Sequence, residues 1–259
     1  MNDKLNFNPS IEDRLRERAC PSDSPVMYQK WSELLFLHWS FDPKIVAETL
    51  PEGLFVDTFG DKAWIGLVPF FMEKVRPRFL PSLPSISNFQ ELNLRTYVVD
   101  REGRPGVWFY SLDTPRLLPN WIARRFFHLN YQLACMSAIR CGQEIIYQSC
   151  RHSRSHQKEI QKFHWSREGS SYQATPNSLE FFLVERYRLF SWNPVLKICY
   201  TGKVHHQPYP IQAVDLKKYS TLLFSLNGLK EPIGKPVSVL ASKGVPVTIY
   251  PLKKIQFAF

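Results

Sequence analysis

Residues 89–100 read Phe89-Gln90-Glu91-Leu92-Asn93-Leu94-Arg95-Thr96-Tyr97-Val98-Val99-Asp100. Side chains alternate across a strand, so Glu91, Asn93, Arg95 and Tyr97 share one face and Leu92, Leu94 and Thr96 the other. Three consecutive same-face polar groups do not pack an apolar core. In the wall of a closed sheet they face either bulk water, where a Glu–Arg pair is worth little, or a polar lumen. The alternation alone leaves both open. A compact turn, Arg101-Glu102-Gly103-Arg104, leads to a second strand. There Val107, Phe109, Ser111 and Asp113 share a face that passes from apolar to polar, as at a cavity mouth or an ordinary strand end.

Outward from this hairpin the chain stays rich in strand signals. A first core strand starts near Met27, with Gln29-Lys30-Trp31-Ser32-Glu33-Leu34-Leu35-Phe36-Leu37-His38-Trp39-Ser40-Phe41. Asp42 and Pro43 then open a helix bounded by Pro51, with Ile45, Val46 and Leu50 as its apolar stripe. A hairpin turns at Gly60-Asp61. Residues 76–88 hold three prolines and no period, and read as a long loop of the kind used for lids. A helix is expected over 119–127. Strands follow over 144–153, 162–168 and 170–175. Asn177 and Glu180 form a capping box for a helix from Ser178 to Phe190, and strands return after Val195. About three helices in a mostly β order predict an α+β fold that is mainly antiparallel β and closed like a barrel or cone. Residues 1–26, with Ser10 capping a short helix, read as an N-terminal extension to a single domain over 27–259.

Composition narrows the function classes. No apolar run is long enough to span a bilayer and no apolar secretory core opens the chain, so no membrane partner and a cytoplasmic location are expected. The five cysteines are odd in number and lack paired spacing, and are expected to be buried or half-buried free thiols. Net charge is +10, and residues 116–167 carry nine Lys/Arg against Glu144 and Glu159. A basic balance favours anionic partners. No zinc-finger spacing, ribonucleoprotein signature or basic zipper accompanies it, so nucleic acid is not the expected partner, and a solvated basic face accounts for the charge. His152, His156 and His164 lie on strand and turn, where four-residue spacing does not bring ligands together, so no metal is expected. No phosphate loop or dinucleotide fingerprint is present, and no cofactor is expected. The sequence leaves a homo-oligomer open.

Six blocks carry a resemblance. They are Leu35-Phe36-Leu37-His38-Trp39, Ala63-Trp64-Ile65-Gly66-Leu67-Val68-Pro69-Phe70, Glu91 to Val98, Gly106 to Asp113, Glu185-Arg186-Tyr187-Arg188-Leu189 and His206-Gln207-Pro208-Tyr209-Pro210. In this order they resemble the YqjF-like branch of the acetoacetate decarboxylase-like superfamily over most of the chain. The resemblance implies a closed β domain around a cavity, and favours the lumen for Glu91, Asn93 and Arg95. It also implies that Glu91 stands for the superfamily's catalytic-site glutamate and Arg124 or Arg125 for its helix arginine. Asn130-Tyr131-Gln132 would stand where decarboxylases have Pro-Lys-Lys. Tyr131 has no amine to form the Schiff base that serves as electron sink, which argues against acetoacetate decarboxylase activity. Lys197 and Lys203 are amines that nothing in the sequence places in the cavity. The expected site is therefore Glu91, Tyr131 and His206 as reacting groups, with Asn93, Arg95, Arg124 and Arg186 holding a small anionic or carbonyl compound. The chain would then act as a lyase or isomerase on an oxo-acid or carbonyl compound, as a non-catalytic binding protein for the same ligand, or as a nucleic-acid- or anion-binding basic surface.

Overall fold

The computed structural model describes residues 8–83, 86–115, 128–152 and 159–255. Thirteen strands occupy most of it. They are β1 (Met27–Phe41), β2 (Leu54–Val56), β3 (Ala63–Pro77), β4 (Phe89–Asp100), β5 (Pro105–Thr114), β6 (Tyr131–Cys141) and β7 (Glu144–Arg151). After these come β8 (Gln161–Tyr172), β9 (Arg188–Asn193), β10 (Ile198–His206), β11 (Ile211–Lys218), β12 (Ser238–Ile249) and β13 (Lys253–Lys254). Four short helices accompany them: α1 (Ile11–Arg16), α2 (Pro43–Ala47), α3 (Leu179–Val184) and α4 (Leu222–Ser225). The helix expected over 119–127 lies outside the described residues.

All strands belong to one sheet, in the order β13-β10-β9-β5-β6-β7-β8-β11-β12-β1-β3-β4-β2. Two further pairings, β5 with β4 and β10 with β12, turn that order back on itself. The wall β5-β4-β3-β1-β12 is thereby common to two closed circuits, one completed by β6, β7, β8 and β11, the other by β9 and β10. The result is ring-like without being a regular barrel. Most pairs are antiparallel, and β5 pairs in parallel with both β6 and β9.

Because the wall is shared, both of its faces are covered. Phe36, Val68, Phe70, Phe89, Tyr97 and Val247 join one apolar cluster, with α3 against it. Leu35, Leu37, Leu67, Leu92, Leu94, Tyr147 and Trp165 form a second. Leu92 and Leu94 are wholly buried, and so are Glu91 and Asn93 on the opposite face, at 3% and 4% exposure. The alternation along β4 therefore separates two interiors, and the solvated outer face is excluded for it.

Alternation fails where strands bulge. β1 carries Glu33 at φ 51° and β3 carries Lys74 at φ 54°, and the register between β1 and β3 slips by one residue near each. A further slip falls opposite Leu94 and Arg95, where β5 gains Tyr110. Beyond it Ser111 and Asp113 no longer follow Val107 and Phe109. They turn to the second interior, where Arg151 grips Asp113 at 2.6 and 3.0 Å and Ser111 at 2.7 Å. A bulge inserts one residue and so reverses the faces beyond it, which corrects the single face read from the sequence.

Two helices are shorter than expected. α2 ends at Ala47 and buries only Val46, leaving Ile45 52% exposed. α3 ends at Val184, and Arg188 to Asn193 join the sheet between β5 and β10. Ladder pairing on both sides outweighs the helical period of the sequence.

The N-terminal segment docks on the ring. Ser10 and Asp13 form the expected capping box, and Ile11 and Leu15 pack on the first cluster. Arg14 grips Asp57 through both carboxylate oxygens at 2.7 Å. Glu17 does the same to Arg188 at 2.9 and 3.1 Å, and Arg18 reaches Glu185 at 3.2 Å.

Two substitutions test this account. Gly244 has φ 118°, and a Cβ there would meet the Trp31 carbonyl oxygen at 2.0 Å; Gly244→Ala is expected to lower stability in urea by about 1–3 kcal/mol or more. Asp57→Ala strands two buried guanidinium groups and is expected to cost roughly 3–5 kcal/mol. Arg14→Ala leaves Arg186 and Asp57 paired and should cost clearly less in the same measurement.

Candidate functional site

The shared wall and the β9–β10 side enclose a cavity of about 570 Å³. Its body is apolar, with Trp31, Leu34, Val68, Phe70, Val107 and Phe109 among the lining residues. The polar lining expected from the sequence is thus confined to a few groups set in an apolar surface. Glu91, Asn93, Arg95, Tyr131 and Arg186 all line this cavity, so five of the seven sequence-predicted residues meet there. Arg124 lies outside the described residues.

His206 does not line it. Its ring stacks on Tyr187 at 4.5 Å and 20°, Nδ1 lies 2.7 Å from the Gln207 carbonyl oxygen and Nε2 lies 3.4 Å from that of Arg186. The shorter contact places the proton on Nδ1, and burial holds the imidazole below its ordinary pKa. The matching sequence block is accounted for by packing at the β10–β12 seam, where His206 pairs with Val247.

Glu91 and Arg95 mark opposite ends of the cavity. Four residues separate them on β4, roughly 13 Å at about 3.3 Å of rise per residue. Glu91 is approached by the Tyr131 hydroxyl, 3.4 Å from its Oε2, and by the Asn93 side chain. Desolvation pushes its pKa up to about 8, more strongly than these hydrogen bonds lower it, and the nearby Asp113 charge adds to the rise. Glu91 is therefore a neutral acid at pH 7. Burial, reinforced by Glu91, raises the Tyr131 phenol well above its usual range. The loop after β3 covers this end, with Leu80, Pro81, Leu83, Ile86 and Ser87 in the lining. Leu80, Leu83 and Ile86 are also more than half exposed, which gives the cavity an apolar rim. The described part of the loop expected over 76–88 thus lines the cavity.

Arg95 points the other way. Its Nη2 donates to the Leu183 carbonyl at 3.1 Å and contacts the Tyr97 hydroxyl at 3.5 Å. Tyr97 spends its own proton on Leu183 at 2.7 Å, so His38 Nε2, also 2.7 Å away, donates to the phenol oxygen. The Arg95 residue is 8% exposed and its Nε is buried with no hydrogen-bond partner. No carboxylate pairs with it among the described residues. The other two cavity arginines differ in this respect. Arg186 Nη1 holds Asp57 at 2.6 Å while its Nε caps the Phe182 carbonyl at 2.8 Å, and Arg188 is held by Glu17. Burial and the second cation Arg14 lower Arg186 to about 10 although Asp57 opposes the change.

Sequence reasoning missed Arg188, Asp57 and Glu17. The first belonged to a recognised block; the other two act across the fold and carry no local signal. The two lysines considered as amines lie elsewhere: Lys197 is exposed and Lys203 reaches Glu17 at 3.5 Å. Within 116–167, Arg140, Arg151 and Arg167 pair with Glu73, Asp113 and Glu33, so part of the basic run is internally neutralised. Among the described residues no helix is long and apolar enough to cross a membrane and no cluster of three metal-ligating side chains occurs.

Comparison with known proteins agrees with this architecture. Residues 28–246 match the DUF2071 family model, described as an uncharacterized conserved protein. The chain is 36% identical over 238 residues to the uncharacterized protein YqjF of Bacillus subtilis (strain 168), covering 91% of this chain and 95% of that one. Among solved structures, acetoacetate decarboxylase from Legionella pneumophila superposes with a TM-score of 0.63 at 13% identity, covering 99% of this chain and 98% of the other. The enduracididine biosynthesis enzyme MppR, complexed with pyruvate, gives 0.59 at 13% identity, covering 90% and 91%. With its wall shared between two circuits and its sequence matched over nearly the whole domain, the chain belongs to the DUF2071 family and has an acetoacetate decarboxylase-like fold.

Proposed function

We propose that this protein binds an amphipathic organic carboxylate in the cavity, with the carboxylate at Arg95 and the apolar body running along β4 toward Glu91 and Tyr131. The observation that carries the reading is the Arg95 guanidinium, buried and without a carboxylate. Burying a charge costs several kcal/mol unless a counter-charge compensates it. Asp57, which also holds Arg14, and Glu17, which also holds Lys203, engage the other two cavity arginines, and Arg95 is the cavity arginine with no carboxylate beside it among the described residues. A guanidinium fork matches a carboxylate in two parallel hydrogen bonds. The distance to Glu91 and the apolar walls favour a ligand longer than a three- or four-carbon acid. At the far end the protonated Glu91 and the Tyr131 phenol are donors for a carbonyl or hydroxyl oxygen. The pyruvate of the MppR complex supports a carboxylate as the ligand's charged group, by fold analogy.

Catalysis is the second reading. An acid with a pKa near 8 beside a phenol is poised to protonate a carbonyl compound, and among the described residues arginines and no lysine line the cavity. The activity this favours is a lyase or isomerase step without a Schiff base. Ligand binding without turnover assigns the protein to binding alone.

A series of straight-chain carboxylates, titrated by calorimetry and by the fluorescence of cavity residue Trp31, tests the reading. Affinity is expected to grow by roughly 0.8 kcal/mol per methylene until the cavity is full. Equal affinity for acetate and octanoate, or none for any member, overturns it. Arg95→Met is expected to cost on the order of 100-fold in affinity while leaving the unliganded protein as stable or more so, because an uncompensated charge is removed.

Glu91 gives a pH signature. Its folded pKa, about 8, lies above its unfolded value, so the folded state holds a proton that the unfolded state releases. Stability from this group is full at low pH and is lost as pH rises through the window up to about 8. Glu91→Gln is expected to remove that loss, so the stability difference between variant and wild type grows with pH across the window. Affinity for ligands bearing a distal carbonyl should fall above about pH 8 in the wild type and stay flat in Glu91→Gln.

A further inference from the structure

The β6–β7 hairpin carries a second reactive grouping on its outer surface, away from the cavity. Cys135 and Cys150 are direct cross-strand partners. Their neighbours alternate correctly for both to face outward: Met136 and Ala138 on β6, and Ile145 and Tyr147 on β7, belong to or pack against the second cluster. His152 stands two residues beyond Cys150 on the same face, and its Nε2 lies 3.2 Å from the Cys135 sulfur. Cys135 is exposed and Cys150 half-buried, and both are free thiols. The expectation that the cysteines are buried or half-buried fails for Cys20, Cys135 and Cys141, all exposed; Cys135 and Cys141 stand on the outward face of this hairpin, which no core covers.

We propose that Cys135, Cys150 and His152 form a thiol-oxidation site, in which Cys135 captures a small-molecule disulfide and Cys150 resolves it into an intramolecular bridge. His152 Nε2 accepts the Cys135 proton, which leaves a thiolate, the nucleophilic form of sulfur. The thiolate attacks one sulfur of the small disulfide, forming a mixed disulfide and releasing one small thiol. Cys150 then attacks the Cys135 sulfur, and the second small thiol leaves. Two protein thiols and one small disulfide become one protein disulfide and two small thiols, so hydrogens and electrons balance.

The strand geometry suits a reversible bridge. The His152 backbone N–H donates to the Leu133 carbonyl at 2.9 Å, and the alternation of an antiparallel ladder makes Cys135 and Cys150 a hydrogen-bonded pair as well. Such pairs hold their Cα atoms about 5.5 Å apart, inside the disulfide range. Their Cβ atoms, about 5 Å apart, must draw closer to bridge, and an exposed bridge under tension is readily reduced again.

Cys141, on the same hairpin and exposed, serves as an internal control. The fully reduced full-length protein is treated with oxidised glutathione, and intact mass and peptide maps are followed with time. Wild type is expected to lose two hydrogen atoms through a Cys135–Cys150 link, with Cys135 reacting at least tenfold faster than Cys141. Cys150→Ser should accumulate one glutathione on Cys135, and His152→Asn should slow its capture at neutral pH with less effect at high pH, where solvent takes the proton. Equal rates at Cys135 and Cys141, or glutathione remaining on Cys135 in the wild type, overturns the proposal. Unchanged circular dichroism of the variants separates either result from loss of fold.

Discussion

A β wall buried on both faces has no solvent side to which a polar side chain can retreat. β4 lies at the centre of that constraint. Its leucines fill one interior, and Glu91, Asn93 and Arg95 must stand in the other. A carboxyl group placed there keeps its proton at pH 7, and a guanidinium there is charged at neutral pH. The contrast between a neutral acid at one end and an uncompensated cation at the other follows from position in the wall.

The N-terminal segment sets the charge of the site. Arg14, Glu17 and Arg18 are on a segment whose helix spans under two turns and that would be marginal alone. Docked on the ring they tie down Asp57, Arg188 and Glu185. Glu17 thereby occupies Arg188, Asp57 holds Arg186 together with Arg14, and Arg95 has no carboxylate partner among the described residues.

The bulges at Glu33, Lys74 and Tyr110 have a comparable role. A strict alternation over the long strands of the wall would aim the same parity inward throughout. Each inserted residue reverses the parity, so Trp31 and Leu34 both reach the cavity from β1, and Met72 and Val75 both reach it from β3. The same device turns Asp113 away from Glu91 and onto Arg151, so the two carboxyl groups stand in different interiors.

Much of this was legible in the chain itself. Composition and turn chemistry indicated a mainly antiparallel closed β fold, the period of two along β4 grouped Glu91 with Asn93 and Arg95, and the Ser10 and Asp42 caps marked two helices. These are local properties, set by backbone geometry over a few residues. Tertiary structure alone decided which face of β4 meets a lumen, since that depends on strands more than a hundred residues away closing over it. It also decided that His206 packs between aromatic rings, that α3 stops at Val184 where β9 finds ladders on both sides, and that Asp57 and Glu17 pair with Arg186 and Arg188 while Arg95 meets no carboxylate among the described residues. A pairing between distant segments leaves no periodicity in either one, and burial, which sets the charge state of every group in the cavity, belongs to the closed ring as a whole.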